Sequence, residues 1–403
     1  MSRSYADLPL HYGQVPPWLY QRMTKLGGAI TEAIVAEYGK HAFLSRISDP
    51  FWFQALGCVL GMDWHSSGIT TSVMGALKRS VNKRSTELGI YICGGKGRFS
   101  RETPAELQRI AEQTGLDADR LIRSSKLSAK VDNTAIQDGF QLYLHSFVLT
   151  DDGQWSVIQQ GMNDATGMAR RYHWHSPAIS SFLEEPHTFI YGPNQGQILN
   201  LTDKAARDTK SSVLQLTKED PAKLLPEVRK LTMPRHHDVR AADVDLKRLG
   251  SILAVAHERE LMDMESLLLL EGVGPRTLQS LVLVSEVIHA TPSRFSDPAR
   301  FSFAHGGKDG HPFPVPTKVY DETISTLENA LHKAKLGLQE KNDAIKKLHI
   351  AAQRLEQDFI PNNRFEDLIQ KERDTSYEYG GKTVFGDAQP PKQKVKGVKL
   401  RLF

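Results

Sequence analysis

The chain has 403 residues, of which 40% are hydrophobic and 24% are charged, and its formal net charge is +4. This composition is typical of a globular protein with two or three domains and excludes a disordered or fibrous chain. Cys58 and Cys93 have no C-x-x-C spacing, which argues against a disulfide framework or thiolate zinc site and favours a reducing, cytoplasmic location. No apolar segment is long enough to span a bilayer, so we expect no membrane contact.

The first ninety residues predict three helices. Apolar residues recur at helical spacing from Val15 to about Tyr38, and Gly39 is a typical helix end. Asp49 before Pro50 predicts the capped start of a second helix. Residues 69–88 predict a third, partly basic helix.

A short strand over residues 89–95 then leads into the glycine loop GGKGR. Thr103 and Glu106 have the spacing of a capping box, which predicts a helix that begins near Pro104 and continues to about Lys130.

The clearest strand pair follows. Residues 140–162 are rich in aromatic and branched side chains on both sides of Asp151-Asp152-Gly153, which predicts a β-hairpin. We therefore predict a helix-rich α+β fold in which residues 1–195 form an N-terminal α+β domain with a small sheet. Residues 196–240, which are polar and contain Gly and Pro, predict a connector.

The segment Glu265–Ile288 predicts two apolar helices joined by a tight turn. Gly272 and Gly274 accept positive φ at little cost, and a second helix would begin at Pro275. The start of that helix suits a phosphate oxygen. The pattern resembles the helix-hairpin-helix motif of DNA repair proteins, and its predicted contacts to the DNA backbone are Gly272, Val273, Gly274, Pro275, Arg276 and Thr277. A plain helical hairpin with a glycine turn is the alternative.

We assign residues 241–316 to the domain that contains this hairpin. A second glycine loop, Phe303–Val315, contains Lys308, a further candidate DNA contact. Residues 317–370 predict one long packing helix, and residues 371–403 a basic tail.

Polar side chains cluster at four places in the first half. Asp63 and His65 lie in a predicted loop, and Lys96 lies in the loop GGKGR. The other two clusters, at and after the β-hairpin, contain Asp138, Gln141, His145, Gln159, Gln160, Arg170, Arg171, His173 and His175. A carboxylate and an imidazole two residues apart suit a divalent cation, and H-x-H puts both rings on one face of a strand.

These clusters predict a metal-dependent nuclease site in which Mg²⁺ or Mn²⁺ activates water beside a phosphodiester. The candidate ligands are Asp63, His65, Asp138, His173 and His175. The candidate catalytic residues are Asp63, His65, Lys96, Asp138, His145, Arg171 and His173, among which Lys96 or Arg171 would offset the developing charge. The alternative is that the histidines are structural partners in the core. The order of Asp138 and the hairpin loosely resembles the restriction-endonuclease core, but no lysine stands two positions after Gln159-Gln160.

The last five residues have a signal of their own. Lys399–Phe403 is similar to the peptide by which many bacterial DNA-processing proteins bind the sliding clamp, with Leu400, Leu402 and Phe403 as the apolar contacts. Lys399 stands where that peptide usually has Gln. Apolar side chains that end a basic tail favour burial, either against a partner or against the protein itself.

Several long segments together resemble the prokaryotic family called domain of unknown function 763. They are LPLHYGQVPPWL, SDPFWFQALGCVLGMDWHSSGITT, QLYLHSFVLTDDGQWSVIQQGMN, ARRYHWHS, GVGPRT and FAHGGKDGHPFPV. The resemblance covers the chain up to about residue 350. It implies a bacterial or archaeal intracellular protein with an embedded helix-hairpin-helix element and a role in DNA repair, and it assigns no catalytic residue.

We therefore expect a DNA-binding protein of DNA repair or processing, with nuclease activity in the N-terminal domain. Two alternatives stay open: a non-enzymatic adaptor that binds DNA and recruits partners through its tail, and an enzyme on another phosphorylated substrate. A nuclease requires the predicted carboxylate and imidazole groups to converge in one cleft. The preferred DNA structure, the metal, the need for an ATPase partner and the oligomeric state, including a homo-oligomer, also stay open.

Overall fold

In the computed structural model, the described part of the chain comprises residues 15–62, 67–222, 224–225, 246–299, 317–356, 374, 382–383 and 386–387. Its strands in chain order are β1 (Ile90–Lys96), β2 (Ile136–Gln137), β3 (Gln141–Thr150), β4 (Trp155–Asn163), β5 (Met168–His175), β6 (His187–Tyr191), β7 (Gln197–Asn200), β8 (Phe295–Ser296), β9 (Lys382–Thr383) and β10 (Gly386–Asp387). The main sheet has the order β1-β3-β4-β5-β6, and all its neighbours are antiparallel. A small sheet has the order β2-β7-β8, and β9 pairs with β10.

Helices cover both faces of the main sheet. They are α1 (Pro17–Tyr38), α2 (Lys40–Ser48), α3 (Pro50–Val59), α4 (Gly68–Val81), α5 (Ser85–Leu88), α6 (Arg98–Thr114), α7 (Ala118–Lys130), α8 (Arg207–Lys218), α9 (Leu246–Glu258), α10 (Met264–Leu269), α11 (Pro275–His289), α12 (Thr317–Lys333) and α13 (Leu338–Glu356). A π-helical turn, Val131–Ala135, follows α7. The prediction of a helix-rich α+β fold is confirmed.

Two hydrophobic clusters lie on opposite faces of the main sheet, because alternate strand residues point to opposite sides. On β5, Tyr172 and Trp174 pack into the cluster formed with α6 to α11. Ala169 on the same strand packs into the cluster formed with α1 to α4, α12 and α13. We call these two sides the hairpin face and the α1–α4 face.

Local signals set the start of α3 and the strand hairpin as predicted. The described residues before β1 form five α-helices rather than three, because α2 was not predicted and residues 69–88 are divided between α4 and α5. The Asp49 carboxylate accepts hydrogen bonds from the backbone N–H of Phe51 and of Trp52, at 2.8 and 2.9 Å, and so caps α3. Between β3 and β4, Gly153 adopts a φ of +88° in the turn. The first of these helices ends at Tyr38, immediately before Gly39.

Helix α6 begins six residues before the predicted start. Pro104 lies inside the helix, so the capping-box prediction is wrong. Proline has no N–H for the carbonyl of Ser100, four residues earlier, but the Thr103 hydroxyl donates to that carbonyl at 2.8 Å. Glu106 instead accepts from the Gly94 N–H and from the Lys78 ammonium, both at 2.6 Å.

The predicted long helix is divided. Helix α12 ends at Lys333, and α13 starts at Leu338 after a turn that contains Gly337. In that turn the Glu340 carboxylate accepts from the Gly337 N–H at 3.3 Å. The two helices pack against α1 and α3 on the α1–α4 face.

The predicted connector contains ordered elements. Strand β7 pairs with β2, and α8 buries Val213 and Leu216 in the same cluster as Leu278 of α11. One hydrophobic core therefore contains residues of both the predicted N-terminal domain and the predicted hairpin domain. The limits of the two domains stay a prediction. No helix in the described part of the chain is both long and apolar enough to cross a membrane.

Candidate functional site

A chain of buried hydrogen bonds lies on the hairpin face of the main sheet. The Asp132 carboxylate, in the π-helical turn, accepts from the Gln159 amide, from the Trp174 indole at 2.9 Å and from His187. Because the Gln159 amide nitrogen faces Asp132, its oxygen faces His145 Nδ1, at 2.9 Å. His145 Nε2 then accepts from the Ser125 hydroxyl at 2.8 Å.

Burial governs the protonation of this chain. It lowers the pKa of His145 to about 4, so the ring is neutral at physiological pH. Burial raises the pKa of Asp132, against the opposing effect of His187. The neutral His145 and the Ser125 hydroxyl form a Ser–His pair, but both side chains are buried. They have the roles of packed core partners that fix α7 and the π-helical turn on the sheet.

Asp138 lies in a second buried group, on the same face. Its carboxylate accepts from Arg170 Nη1 at 2.6 Å, from the Tyr172 hydroxyl at 2.7 Å and from the Phe140 N–H at 3.0 Å. Arg170 also donates to both oxygens of Asp297, at 2.7 and 3.1 Å. Burial raises the pKa of Asp138, while Arg170 and Tyr172 lower it. Asp138 thus has structural partners on both oxygens and joins the sheet to the segment after β8.

Arg171 and His173 lie on the other face of the sheet, under α3 and α4. Arg171 Nε donates to His173 Nε2 at 2.9 Å, and its two Nη atoms donate to Gln54 Oε1 at 2.8 Å and Thr70 Oγ1 at 3.3 Å. The guanidinium also lies over the ring of Phe53, 4.7 Å from its centroid. These partners are all neutral.

Desolvation is also the largest effect on the pKa values of this group. Burial lowers the pKa of Arg171 to about 10, so the guanidinium keeps its charge at neutral pH. Burial, followed by the charge of Arg171, lowers the pKa of His173 well below its usual value, so the ring is a neutral acceptor. His175, further along β5, pairs through Nδ1 with the Ser156 hydroxyl at 2.9 Å.

Lys96 lies beside the group that contains Arg171 and His173. At the end of β1 it is exposed, and its ammonium lies 5.7 Å from the centroid of the Tyr143 ring. The Gln160 amide nitrogen donates to the Tyr143 hydroxyl, and the Thr70 hydroxyl donates to the oxygen of that amide. Two predicted residues, Lys96 and Arg171, are therefore connected through the Tyr143 ring and the hydrogen bonds of Gln160 and Thr70.

Those predicted catalytic and metal-ligating residues that the structure describes do not converge in one cleft. Asp138 and His145 lie on the hairpin face, whereas Arg171, His173 and His175 lie on the α1–α4 face, with the sheet between them. Asp63 and His65 lie outside the described residues. Among the described residues, no group of three His, Cys, Asp or Glu side chains is arranged to hold a metal ion.

The predicted glycine-turn hairpin is formed by α10 and α11. Gly272 adopts a φ of +87°, as predicted, and Val273 is buried beneath the turn. Six of the seven apolar residues that recur at helical spacing around the turn are buried: Leu267, Leu268, Leu270, Leu278, Leu281 and Val282. The seventh, Ile288 near the end of α11, is 38% exposed, so its predicted packing is wrong. Gly274 precedes α11 in an extended conformation, and no side chain caps the helix.

Gly274 differs from Gly272 in what it requires. Its φ of −134° is open to any residue, and a Cβ at this position would meet nothing within 4 Å. Neither the backbone nor the packing of the described chain therefore explains a glycine here. No atom of the described chain fills the space beside the start of α11, next to the exposed Arg276. Thr277 is buried, and its hydroxyl donates to the Gly272 carbonyl at 3.5 Å.

A basic helix supports this turn. Lys130 of α7 donates to the Val273 carbonyl, and the Gln137 amide donates to the Pro275 carbonyl at 2.8 Å. Arg123, Lys126 and Lys130 share one side of α7 at spacings of three and four residues. The first of these pairs with Glu265 of α10 at 3.0 Å. The hairpin thus lies beside a row of cations.

Several of these groups were missed at the level of sequence. Gln54 is the single polar residue in the apolar segment PFWFQALGC, a signal that could have been used. Asp132 and Asp297 have no local pattern that marks them as buried partners. The predicted contacts Lys308, Leu400, Leu402 and Phe403 lie outside the described residues.

The fold and these groups define a helix-rich α+β protein with a helical hairpin packed on its sheet domain. Residues 4–315 match the family model described as Protein of unknown function (DUF763), so the chain belongs to this family, as predicted. No curated protein and no solved structure matches the chain.

Proposed function

We propose that this protein binds DNA through the phosphate backbone, with the turn between α10 and α11 as the contact. The observation that carries the proposal is Gly274, a glycine that neither its φ nor the packing of the described residues demands. It lies at the start of a fifteen-residue helix that no described side chain caps. Backbone N–H groups and the helix dipole favour a phosphate oxygen at such a helix start, and glycine lets the phosphate approach closely.

The charges around the turn support the same proposal. Arg276 is exposed one residue after Pro275, and Lys126 is exposed on the side of α7 that also carries Arg123 and Lys130. Contacts of this kind position a duplex without reading its sequence. We therefore propose binding that depends strongly on salt and little on sequence.

The geometry favours the adaptor over the nuclease. Hydrolysis by the predicted residues would require groups from both faces of the sheet, and Asp138 would have to leave Arg170 and Tyr172. We keep three secondary proposals: a role in DNA repair, nuclease activity and recruitment of the sliding clamp. Cleavage of single-stranded, duplex and flapped DNA with Mg²⁺ or Mn²⁺, beside His65→Ala and Lys96→Ala, tests the nuclease.

The test of DNA binding uses Gly274→Asp, a change that separates folding from binding. Aspartate is a better N-cap than glycine and suits the extended conformation at this position, so α11 should be retained or stabilised. Its carboxylate would occupy the phosphate position and repel DNA. We expect the Kd for a duplex, measured by fluorescence anisotropy, to rise by at least about tenfold, since phosphate contacts dominate affinity.

Two further variants provide the controls. Gly274→Asn fills the same space without charge and should weaken binding less than Gly274→Asp. Arg276→Glu should weaken binding and lower the salt slope, by about one for the lost cation. Arg109→Glu on α6 makes the same charge change at another exposed position and should have little effect. Unchanged duplex affinity in both Gly274→Asp and Arg276→Glu would disprove the proposed contact.

A further inference from the structure

A second basic surface lies on the α1–α4 face, away from the hairpin. Helices α1 and α4 pack side by side, and the Tyr20 hydroxyl of α1 covers Gly75 of α4. The Arg79 guanidinium lies 6.0 Å from the Tyr20 ring. Thr71, Gly75 and Arg79 are one turn apart, so they form a continuous ridge along α4.

Two aromatic rings are exposed beside this ridge, one on α1, which packs against α4, and one at the start of α6, which packs against the edge strand β1. Each ring has a cation beside it. Trp18 is 59% exposed, and the Arg22 guanidinium lies 5.4 Å from its ring. Phe99 is 45% exposed, with Arg98 at 5.0 Å. Tyr143, which shares a hydrogen bond with Thr71 of the ridge, lies beneath Lys96.

A cleft continues the surface at the C-terminal end of α4. Its volume is about 480 Å³, and it lies between α1, the end of α4 and the turn before α13. Its charged lining residues are Lys25, Arg79, Lys83, Arg84, Lys335 and one carboxylate, Glu32. Cations thus outnumber carboxylates in this lining.

Some of these cations already have acidic partners. Arg84 and Lys335 pair with Glu32, at 2.6 and 3.2 Å, and Lys25 pairs with Glu340 at 2.7 Å. Arg79 and Lys83 make no ion pair with any described residue. Their charge is therefore available to an anionic ligand.

We propose that this surface binds single-stranded nucleic acid. The surface consists of Trp18, Tyr20, Arg22, Arg79, Lys83, Lys96, Phe99 and Tyr143. Bases of an unpaired strand stack on the exposed rings, while the cations follow the phosphates. A duplex hides the faces of its bases and leaves the rings nothing on which to stack. Stacking and phosphate contacts are common to DNA and RNA, so both strands are expected to bind.

The test compares two strands of equal charge. With the full chain, Kd is measured for a twelve-nucleotide oligothymidylate and for an abasic strand of the same length. Stacking predicts that the strand with bases binds at least about tenfold more tightly. Trp18→Ala and Phe99→Ala should reduce this preference, and Trp18→Phe, which keeps a ring, should retain most of it. An oligouridylate should behave as the oligothymidylate does.

Charge variants complete the test. Lys83→Gln should weaken binding of both strands equally and lower the salt slope. Arg276→Glu, on the hairpin, should leave the preference for the strand with bases unchanged, so failure of the proposed duplex contact is seen separately. Equal affinity for the two strands, no effect of Trp18→Ala on the preference, or loss of the preference in Arg276→Glu would each overturn the proposal.

Discussion

Two neighbouring arginines show how differently a buried charge can be accommodated. Arg170 and Arg171 are both fully buried. Arg170 lies between two carboxylates, Asp138 and Asp297, whereas Arg171 has only neutral partners and aromatic rings. Burial alone would lower the pKa of Arg170, but the two carboxylates reverse the effect and raise it. For Arg171 nothing reverses the effect of burial, and the pKa falls.

This difference predicts unequal costs for the same substitution. Arg170→Met leaves two buried carboxylates without a counter-charge and should lower the free energy of unfolding by about 3–5 kcal/mol. Arg171→Met should cost at most about 2 kcal/mol, because it removes an unbalanced charge and the thioether keeps the contact with Phe53. Urea unfolding of both variants measures the two costs. Equal costs would contradict the difference between the two buried arginines.

At the scale of elements, the sequence predicts what local signals determine. The cap at Asp49 and the turn at Gly153 follow from residues within a few positions of each other, and both are observed. The start of α6 could not be predicted, because Pro104 is tolerated only where Thr103 supplies the missing donor. The division between α12 and α13 has only Gly337 as a sequence signal, too weak to end a helical pattern.

The candidate site was less predictable because its partners are distant in sequence. Arg170 and Asp297 are 127 residues apart, and neither residue type reveals the other. The residue types indicated a polar segment at β5. They did not show that Arg171 and His173 lie on one face of the sheet and Asp138, which lies outside β5, on the other. That assignment depends on the register of β4 and β5, which tertiary packing sets.

The buried hydrogen bonds between α7 and the sheet predict that the stability of the protein depends on pH. In the folded protein the pKa of His145 is about 4, because burial disfavours the charged ring. Between pH 6.5 and 4 the unfolded chain binds a proton that the folded chain does not, so stability falls as the pH is lowered through this window. One such group contributes up to about 1.4 kcal/mol per pH unit.

His145→Gln removes this contribution. The variant should be less stable than the wild type at pH 7, because the hydrogen bonds to Ser125 and Gln159 are disturbed, but its stability should fall less steeply below pH 6.5. Urea unfolding at a series of pH values compares the slopes. Parallel curves for the two proteins would mean that His145 is protonated in the folded state as readily as in the unfolded chain. His173, which burial also keeps neutral, is unchanged in the variant and serves as a constant background.

At the scale of the whole molecule, the main sheet separates two proposed surfaces. The hairpin of α10 and α11 belongs to one hydrophobic cluster, and the ridge of α1 and α4 belongs to the other. One surface is proposed for the backbone of a duplex and the other for an unpaired strand. A single DNA that has both parts could engage both surfaces, provided that its strand is long enough to pass around the sheet edge.

This arrangement predicts a dependence on tail length. A duplex with a short single-stranded tail should bind no more tightly than the blunt duplex, because the tail cannot reach the second surface. Beyond a threshold length the affinity should rise by about a hundredfold or more, since the second contact becomes intramolecular, and then fall slowly as the tail lengthens further. Arg276→Glu and Trp18→Ala should each abolish the increase while leaving the other contact intact. A smooth rise with every added nucleotide, unaffected by Trp18→Ala, would instead indicate that the tail adds only charge along one continuous surface.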